Sequence, residues 1–369
     1  MKLASVEEMR LCDAYTIEKY VSGRTLMYRA AMAVYLSDAW RGRIAIAVGS
    51  GNNGGDGWAL ACILKERGLD PAVYTLGPES RGDAGYFEKK ARTLGVRAEK
   101  WVPGALTGAD IIVDCLLGTG SKGSLRPPYD EAAAEINGSG AYVISADIPS
   151  GPVRADLTVS IGFLKEGQQG LPNIIAADIG MADCCGLRQV PARTVDVRGY
   201  FAPGELFPRP AVMGDMPSLL RIYAAARDFM ARTGNPDQWG STKPTEAELR
   251  QEINAGRLCI LETVEGRARG AFVFFTGEDP TYKVIDGAWG TDGEYAVLHR
   301  VASDGTVGGV LAAAVRFACR HFPVIRMDTH EKNAPMQGAL ARSGFQYRGI
   351  IRLADGQPRL AFERVSKFR

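Results

Sequence analysis

Nine residues, Gly49-Ser50-Gly51-Asn52-Asn53-Gly54-Gly55-Asp56-Gly57, follow directly on the apolar run Ile44-Ala-Ile-Ala-Val48. A continuous apolar run that ends in glycine reads as a buried strand passing into a turn. The glycines allow positive φ and close approach of the backbone to a ligand. A helix beginning near Trp58 would aim its unpaired N–H groups at the loop, so the natural occupant is an anionic or carbonyl-rich small molecule. Asn52, Asn53 and Asp56 add donors and acceptors for ribose hydroxyls or a hard cation. The plainer alternative is an ordinary βα turn built from turn formers. Two later strand ends also carry polar groups: Asp114 with Gly118-Thr119-Gly120, and Asp147-Ile148-Pro149-Ser150-Gly151.

These groups need a scaffold that brings strand ends together. After a helical segment over Val6 to Trp40, strand patterns at 44–48, 72–76, 110–117, 141–146, 157–161 and 174–177 alternate in part with helical ones at 58–67, 84–94 and 129–137. Apolar strands joined by helices predict an α/β fold of Rossmann type, a three-layer αβα sandwich with a parallel sheet covered on both faces. Ligands bind such sheets at the carboxyl ends of the strands. Residues 190–210, rich in proline, read as a linker. A second α/β pattern then begins at Asp215-Met-Pro217: helix 219–233, a hairpin over 257–263 and 269–276, strand 295–301, helix 309–319, strand 324–329, helix 334–342, and a closing pair near 348–353 and 359–363.

At 369 residues, 46% hydrophobic and 23% charged, the chain is long enough for two globular cores. A net charge of +2 gives no reason to invoke nucleic acid or a membrane surface as partner. The seven cysteines form no CxxC pair and read as reduced, mostly buried thiols, which fits a cytoplasmic location. The first ten residues become charged too early for a signal peptide, and no apolar run reaches membrane-spanning length. The three histidines, His299, His321 and His330, are too scattered for a transition-metal site and read as structural.

Residues 1–205 resemble the NAD(P)H-hydrate epimerases, the YjeF N-terminal domain family. The resemblance rests on Glu8-Met9-Arg10, the loop 51–57, Ile112-Val113-Asp114 with Gly118-Thr119-Gly120 and Gly123, Ala146 to Gly151, and Ala155 to Val159. It implies interconversion of the R and S hydrates of NADH and NADPH, NADHX and NADPHX, as small-molecule substrates. It implies a potassium ion held by Asn53, Asp114 and Ser150. It also implies substrate contacts from Asn52, Asn53, Gly54, Gly55 and Asp56, from Gly118, Thr119, Gly120, Ser121, Lys122, Gly123 and Ser124, and from Asp147. The oxygen donors suit a hard cation, and the 118–124 loop offers N–H groups, hydroxyls and Lys122 for a pyrophosphate. Epimerisation moves protons at the substituents of the hydrated carbon, and Asp147 is the candidate acid/base. Its alternative role is to cap a loop. Little positive charge lies near it in sequence, although Lys165 could face the site. Two departures stand out: Tyr28 occupies a position where the family has glutamate, and the stretch 152–154 is short.

Residues 213–369 resemble the GNAT acetyltransferases through Asp215-Met-Pro217, Gln238-Trp239, Asp279 to Tyr282, Asp328-Thr329-His330 with Asn333, and Ser343-Gly344-Phe345. The resemblance implies acetyl-CoA as a cofactor, bound at Gly309 and Asn333. Thr306 and Leu311 replace a long polar residue and a small one in the pyrophosphate loop, and Leu340 stands where many members carry a tyrosine acid. Weak acetyl-CoA use is the expectation. Three classes of function stay open: a bifunctional epimerase and acetyltransferase, an acetyltransferase with a nucleotide-sensing N-terminal domain, and a scaffold with neither activity. The amphipathic first helix offers a homodimer face.

Overall fold

The computed structural model describes residues 1–119 and 125–368. The chain divides into two compact units, one of Met1–Ile17 and Val21–Ala202, the other of Glu18–Tyr20 and Pro203–Arg369.

In the first unit the elements run β1 (Leu3–Ala4), α1 (Val6–Lys19), α2 (Gly23–Leu36), β2 (Ile44–Val48), α3 (Asn52–Glu66), β3 (Ala72–Thr75), α4 (Gly82–Thr93), β4 (Arg97–Lys100), β5 (Ile111–Cys115), α5 (Tyr129–Gly138), β6 (Tyr142–Ala146), β7 (Leu157–Ile161), β8 (Leu164–Lys165), β9 (Ile174–Asp178) and β10 (Thr194–Asp196). The expected single helical segment over 6–40 is two helices, because Ser22 caps α2 by accepting a hydrogen bond from the Thr25 N–H.

Eight strands form a parallel sheet in the order β10-β9-β7-β6-β5-β2-β3-β4. Alternate residues of β2 face opposite ways. Ile44, Ile46 and Val48 pack with α2, α3 and α4, while Ala45 and Ala47 pack with Ala132, Ala133 and Ile136 of α5. The αβα sandwich follows from that alternation. From β2 the chain runs outward through β3 to β4, then returns to β5 on the other side and continues toward β10. The strand order therefore reverses between β2 and β5, and a ligand crevice opens at such a reversal.

The second unit contains β11 (Phe207–Pro210), α6 (Met216–Arg232), α7 (Glu246–Asn254), β12 (Leu258–Glu262), β13 (Ala268–Thr276), β14 (Ile285–Gly287), β15 (Ala296–Ser303), α8 (Val310–His321), β16 (Val324–Thr329), α9 (Ala334–Arg342), β17 (Gln346–Arg352) and β18 (Pro358–Val365). Its sheet has the order β11-β12-β13-β15-β16-β18-β17-β14. It is antiparallel except at β15 and β16, which pair only through Ala296 with Ile325 and Val297 with Arg326. Beyond that register the two parallel strands part and leave a gap.

The proline-rich stretch 190–210 is more than the linker expected, since Thr194–Asp196 pairs with β9 and Phe207–Pro210 pairs with β12. Both are edge strands, where proline and charge are tolerated.

The glycine loop is held by contact rather than by positive φ. A Cβ on Gly54 would lie 1.8 Å from the Gly49 carbonyl oxygen. Gly54→Ala is expected to destabilise the unit by about 2 kcal/mol or more, at the upper end of overpacking costs because the obstacle is backbone. Gly138→Ala, with open space around it, is expected to leave stability unchanged or raise it by up to about 1 kcal/mol. Urea unfolding midpoints of the two variants test the contrast.

Candidate active site at the sheet reversal

Helix α3 begins at Asn52, not near Trp58. None of Gly49, Gly51, Gly54, Gly55 and Gly57 has positive φ. The first turn of α3 lies so close to the strand ends that side chains are excluded: a Cβ on Gly49 would stand 2.0 Å from the Leu116 carbonyl oxygen. Gly51 caps the helix without a side-chain bond, which leaves N–H groups of the first turn directed at the crevice. Asn52 is exposed, Asn53, Gly54 and Gly55 are buried, and Asp56 is half-buried. The Asn53 amide donates to the Leu117 carbonyl at 2.9 Å. Its carbonyl oxygen Oδ1 is buried and has no hydrogen-bond partner among the described residues.

Asp114, at the end of β5, is wholly buried. Its Oδ1 accepts from the Ser150 hydroxyl (2.6 Å) and the Leu116 N–H (3.2 Å), and its Oδ2 from the Ser145 hydroxyl (2.9 Å) and the Ser150 N–H (2.8 Å). Burial pushes its pKa up, and these hydrogen bonds oppose the rise. Ser150 Oγ also accepts from the Leu117 N–H at 3.0 Å. Asn53, Asp114 and Ser150 are thus gathered around the Leu116-Leu117 backbone.

Asp147 follows β6 with φ of 71°, a left-handed conformation uncommon for a residue other than glycine and tolerated best by Asn and Asp. Its N–H donates to Val159 O at 2.8 Å, and its Oδ1 accepts from the Ile161 N–H at 3.3 Å. The scarcity of positive charge expected around it is corrected by the fold: the buried Lys165 ammonium forms an ion pair with the Asp147 carboxylate. Lys165 Nζ is fixed by Ile161 O (2.7 Å) and Ser160 Oγ (3.2 Å). Gln168 accepts from Ser160 Oγ and the Lys165 N–H and donates to Asp147 O.

Gly118 joins the two halves of the crevice. A Cβ there would lie 3.5 Å from Asn53 Cβ and 3.7 Å from Asp147 Oδ2. Thr119 is in the following turn, and Gly120, Ser121, Lys122, Gly123 and Ser124 lie outside the described residues. The Asp56 carboxyl is pushed well above the usual range by burial and then by the charges of Asp147 and Asp13, against the pull of Lys165. Asp13, from α1, was not expected here; its own pKa is raised by burial. An aspartate among the apolar residues of a helix was the one sequence signal for it.

In the second unit a cavity of about 990 Å³ occupies the gap between β15 and β16. His299 and Asp328 reach its wall together with Asp279. His299 Nε2 lies 2.9 Å from Asp279 Oδ2 and its Nδ1 3.4 Å from Asp328 Oδ1. The Tyr282 hydroxyl donates to Asp328 at 2.8 Å. Burial pulls the His299 pKa down, but the Asp279 hydrogen bond and the two carboxylate charges outweigh it, and the net shift is upward. The same contact helps to hold Asp279 down at about 2, against its burial. His299 thus stands between two carboxylates at the cavity wall, a placement that spacing in sequence could not reveal because the partners lie 20 and 29 positions away.

Gly309, with φ of 86°, caps α8 and has open space around it. Leu311 packs with Leu298 and Met327 in the core and also lines the cavity. Thr306 is occupied with Asp304, its hydroxyl donating at 2.6 Å. Asn333 lines the cavity, but its Oδ1 caps α9 through the Met336 N–H and its Nδ2 donates to Gln238. Leu340 is wholly buried. No helix among the described residues is long and apolar enough to cross a membrane.

Residues 23–167 match the family model described as YjeF-related protein N-terminus. The NAD(P)H-hydrate epimerase of Rhodopirellula baltica is 35% identical over 186 residues, 45% of this chain and 76% of the relative. That of Limosilactobacillus reuteri (strain DSM 20016) is 32% identical over 190 residues, 45% of this chain and 87% of the relative. A bifunctional NAD(P)H-hydrate repair enzyme, Nnr, from Coxiella burnetii is 33% identical over 177 residues, 43% of this chain but only 36% of the relative. The chain thus spans little more than a third of that bifunctional enzyme's length. Among solved structures, a GNAT-family acetyltransferase from Streptococcus agalactiae is similar at 29% identity and a TM-score of 0.40, over 44% of this chain and 96% of the other. By its N-terminal unit, the chain belongs to the NAD(P)H-hydrate epimerase family.

Proposed function

We propose that the N-terminal unit epimerises the hydrates of NADH and NADPH, with Asp147 as the proton-transfer group. The observation that carries this reading is the Asp147–Lys165 pair, held in a left-handed turn and facing Gly118 at the sheet reversal. A carboxylate fixed by a buried lysine is oriented for one task. At the hydrated carbon, a carboxylic acid gives its proton to the hydroxyl oxygen as the C–O bond breaks, and water leaves with the electron pair. A water molecule then adds to the opposite face of the cationic ring and loses a proton to a carboxylate. Asp56 and Asp147 face one another in charge, and their surroundings favour the protonated form at Asp56, so the two carboxyls can divide the acid and base roles.

A potassium ion fits the residues present. The unpartnered Asn53 Oδ1 is a buried acceptor lacking a donor, and Asp114 and Ser150 supply further oxygens of the hard type. Bound there, the ion would supply positive charge for an anionic nucleotide. The free thiols fit a reducing, cytoplasmic setting.

Asp147→Asn keeps the φ preference and loses the titrating oxygen. Equilibration of purified R-NADHX with its S form, followed by chromatography, is expected to slow on the order of a hundredfold or more. An unchanged rate would remove Asp147 from the mechanism.

For the C-terminal unit we propose acetyl transfer, with His299 taking the proton of the acceptor. This rests on the cavity between the parting strands and the two carboxylates on either side of the imidazole. Acetyl-CoA is expected to bind through the start of α8, where Gly309 caps the helix. Gly309→Val, which forbids φ of 86°, is expected to weaken binding in calorimetric titration roughly tenfold or more. A variant that binds as tightly as the parent would place the nucleotide elsewhere.

His299 can be followed directly. Burial lowers the pKa of both His321 and His330, with nearby cationic charge in the same direction, so in a histidine NMR titration His299 alone is expected above the ordinary 6.5. Asp279→Asn should move it down. The sign for stability follows: the pairing contributes fully below the unfolded pKa of about 6.5 and is lost as pH rises through the higher folded value.

A further inference from the structure

Far apart in sequence, Cys12 of α1 and Cys184-Cys185 of the bend after β9 meet in the first unit. Their sulfurs form a nearly equilateral triangle: 3.6 Å from Cys12 to Cys184, 3.8 Å from Cys12 to Cys185, and 3.7 Å between Cys184 and Cys185. A disulfide needs about 2.05 Å, so the thiols are free. Three sulfurs bound at about 2.3 Å in tetrahedral directions around zinc stand about 3.8 Å apart. The triangle already has that size.

The two segments are fixed by contacts that do not involve sulfur. The Thr16 hydroxyl donates to Cys12 O at 2.6 Å and accepts from the Ala182 N–H at 2.9 Å, joining α1 to the bend. The Asp183 carboxylate accepts from the N–H groups of Cys185 (3.0 Å), Gly186 (2.8 Å) and Leu187 (2.9 Å) and pairs with Lys2. Such supporting bonds orient ligands before the ion arrives. Cys12 is buried while Cys184 and Cys185 are exposed, so solvent reaches the cluster. Among the described residues, no fourth histidine, cysteine or carboxylate completes the group.

We propose that Cys12, Cys184 and Cys185 bind one zinc ion as thiolates, with a water molecule in the fourth position. Binding replaces three S–H protons, which pass to solvent, by three Zn–S bonds, and no electron is transferred. Three thiolates form a soft ligand set that suits a thiophilic cation. The ion would tie the N-terminal helix to the bend after β9.

The test uses the full chain, reduced, freed of metal by a chelator, and dialysed against zinc or cobalt(II). Elemental analysis should find one zinc per chain that survives gel filtration, and the cobalt form should show thiolate-to-metal charge transfer with the intense visible bands of a tetrahedral site. Cys12→Ser and Cys184→Ser should weaken cobalt binding by at least the roughly 10–100-fold that loss of a supporting residue brings. Cys62→Ala, remote from the cluster, should not. Because Cys184 is exposed, its variant is expected to fold, and circular dichroism checks this. Failure of the reduced chain to retain zinc, retention unaffected by Cys184→Ser, or a bound copper(I) with no affinity for zinc would each overturn the proposal. Epimerase activity plays no part in the readout, so the two proposals fail independently.

Discussion

The buried carboxylate of Asp114 is the constraint around which the N-terminal site is arranged. An acid taken out of water at a strand end must find hydrogen-bond partners or stay protonated. Here four donors converge on it, from Ser145 within β6, from both the hydroxyl and the N–H of Ser150, and from Leu116 in its own loop. The loops after β5 and β6 are thereby tied to one another. Ser150 sets the end of the turn that begins at Asp147, and Leu117 receives the Asn53 amide. The crevice has its shape because one charged group had to be satisfied.

The division of the two units reflects different uses of a sheet. In the first, all eight strands run parallel and both faces are covered, so only strand ends are left for chemistry. In the second, a single parallel pair inside an antiparallel sheet parts along its length, and the cavity lies within the sheet itself. One site is made of loops held by a rigid layer. The other is made of strand residues facing a gap.

Much of this was legible in sequence, for definable reasons. The buried strands of both units carry unbroken or alternating apolar runs, and the polar residues that matter follow them at once. The edge strand Arg97–Lys100 was not legible, because an edge exposed to water needs no apolar residues. Helix α7 is short and mostly polar, with Leu249 and Ile253 as its main inward-facing residues, and its capping box, Thr245 with Glu248, is the clearest sign of it. At the site, Asn53, Asp114 and Ser150 could be picked out as strand-end groups. Lys165 could be named as a residue facing the site, but the position of Asp13, the carboxylates around His299 and the meeting of three cysteines all depend on long-range closure of the fold.

The left-handed backbone at position 147 bears on how this unit can change over time. Few side chains rest there without strain: glycine, asparagine and aspartate chief among them. A single exchange to asparagine would keep the turn's φ preference while removing the charge that pairs with the buried Lys165. On the role proposed for Asp147, one mutation would silence the chemistry while the backbone conformation stayed allowed. A lineage freed from selection on that group would keep the left-handed turn and a crevice at the sheet reversal.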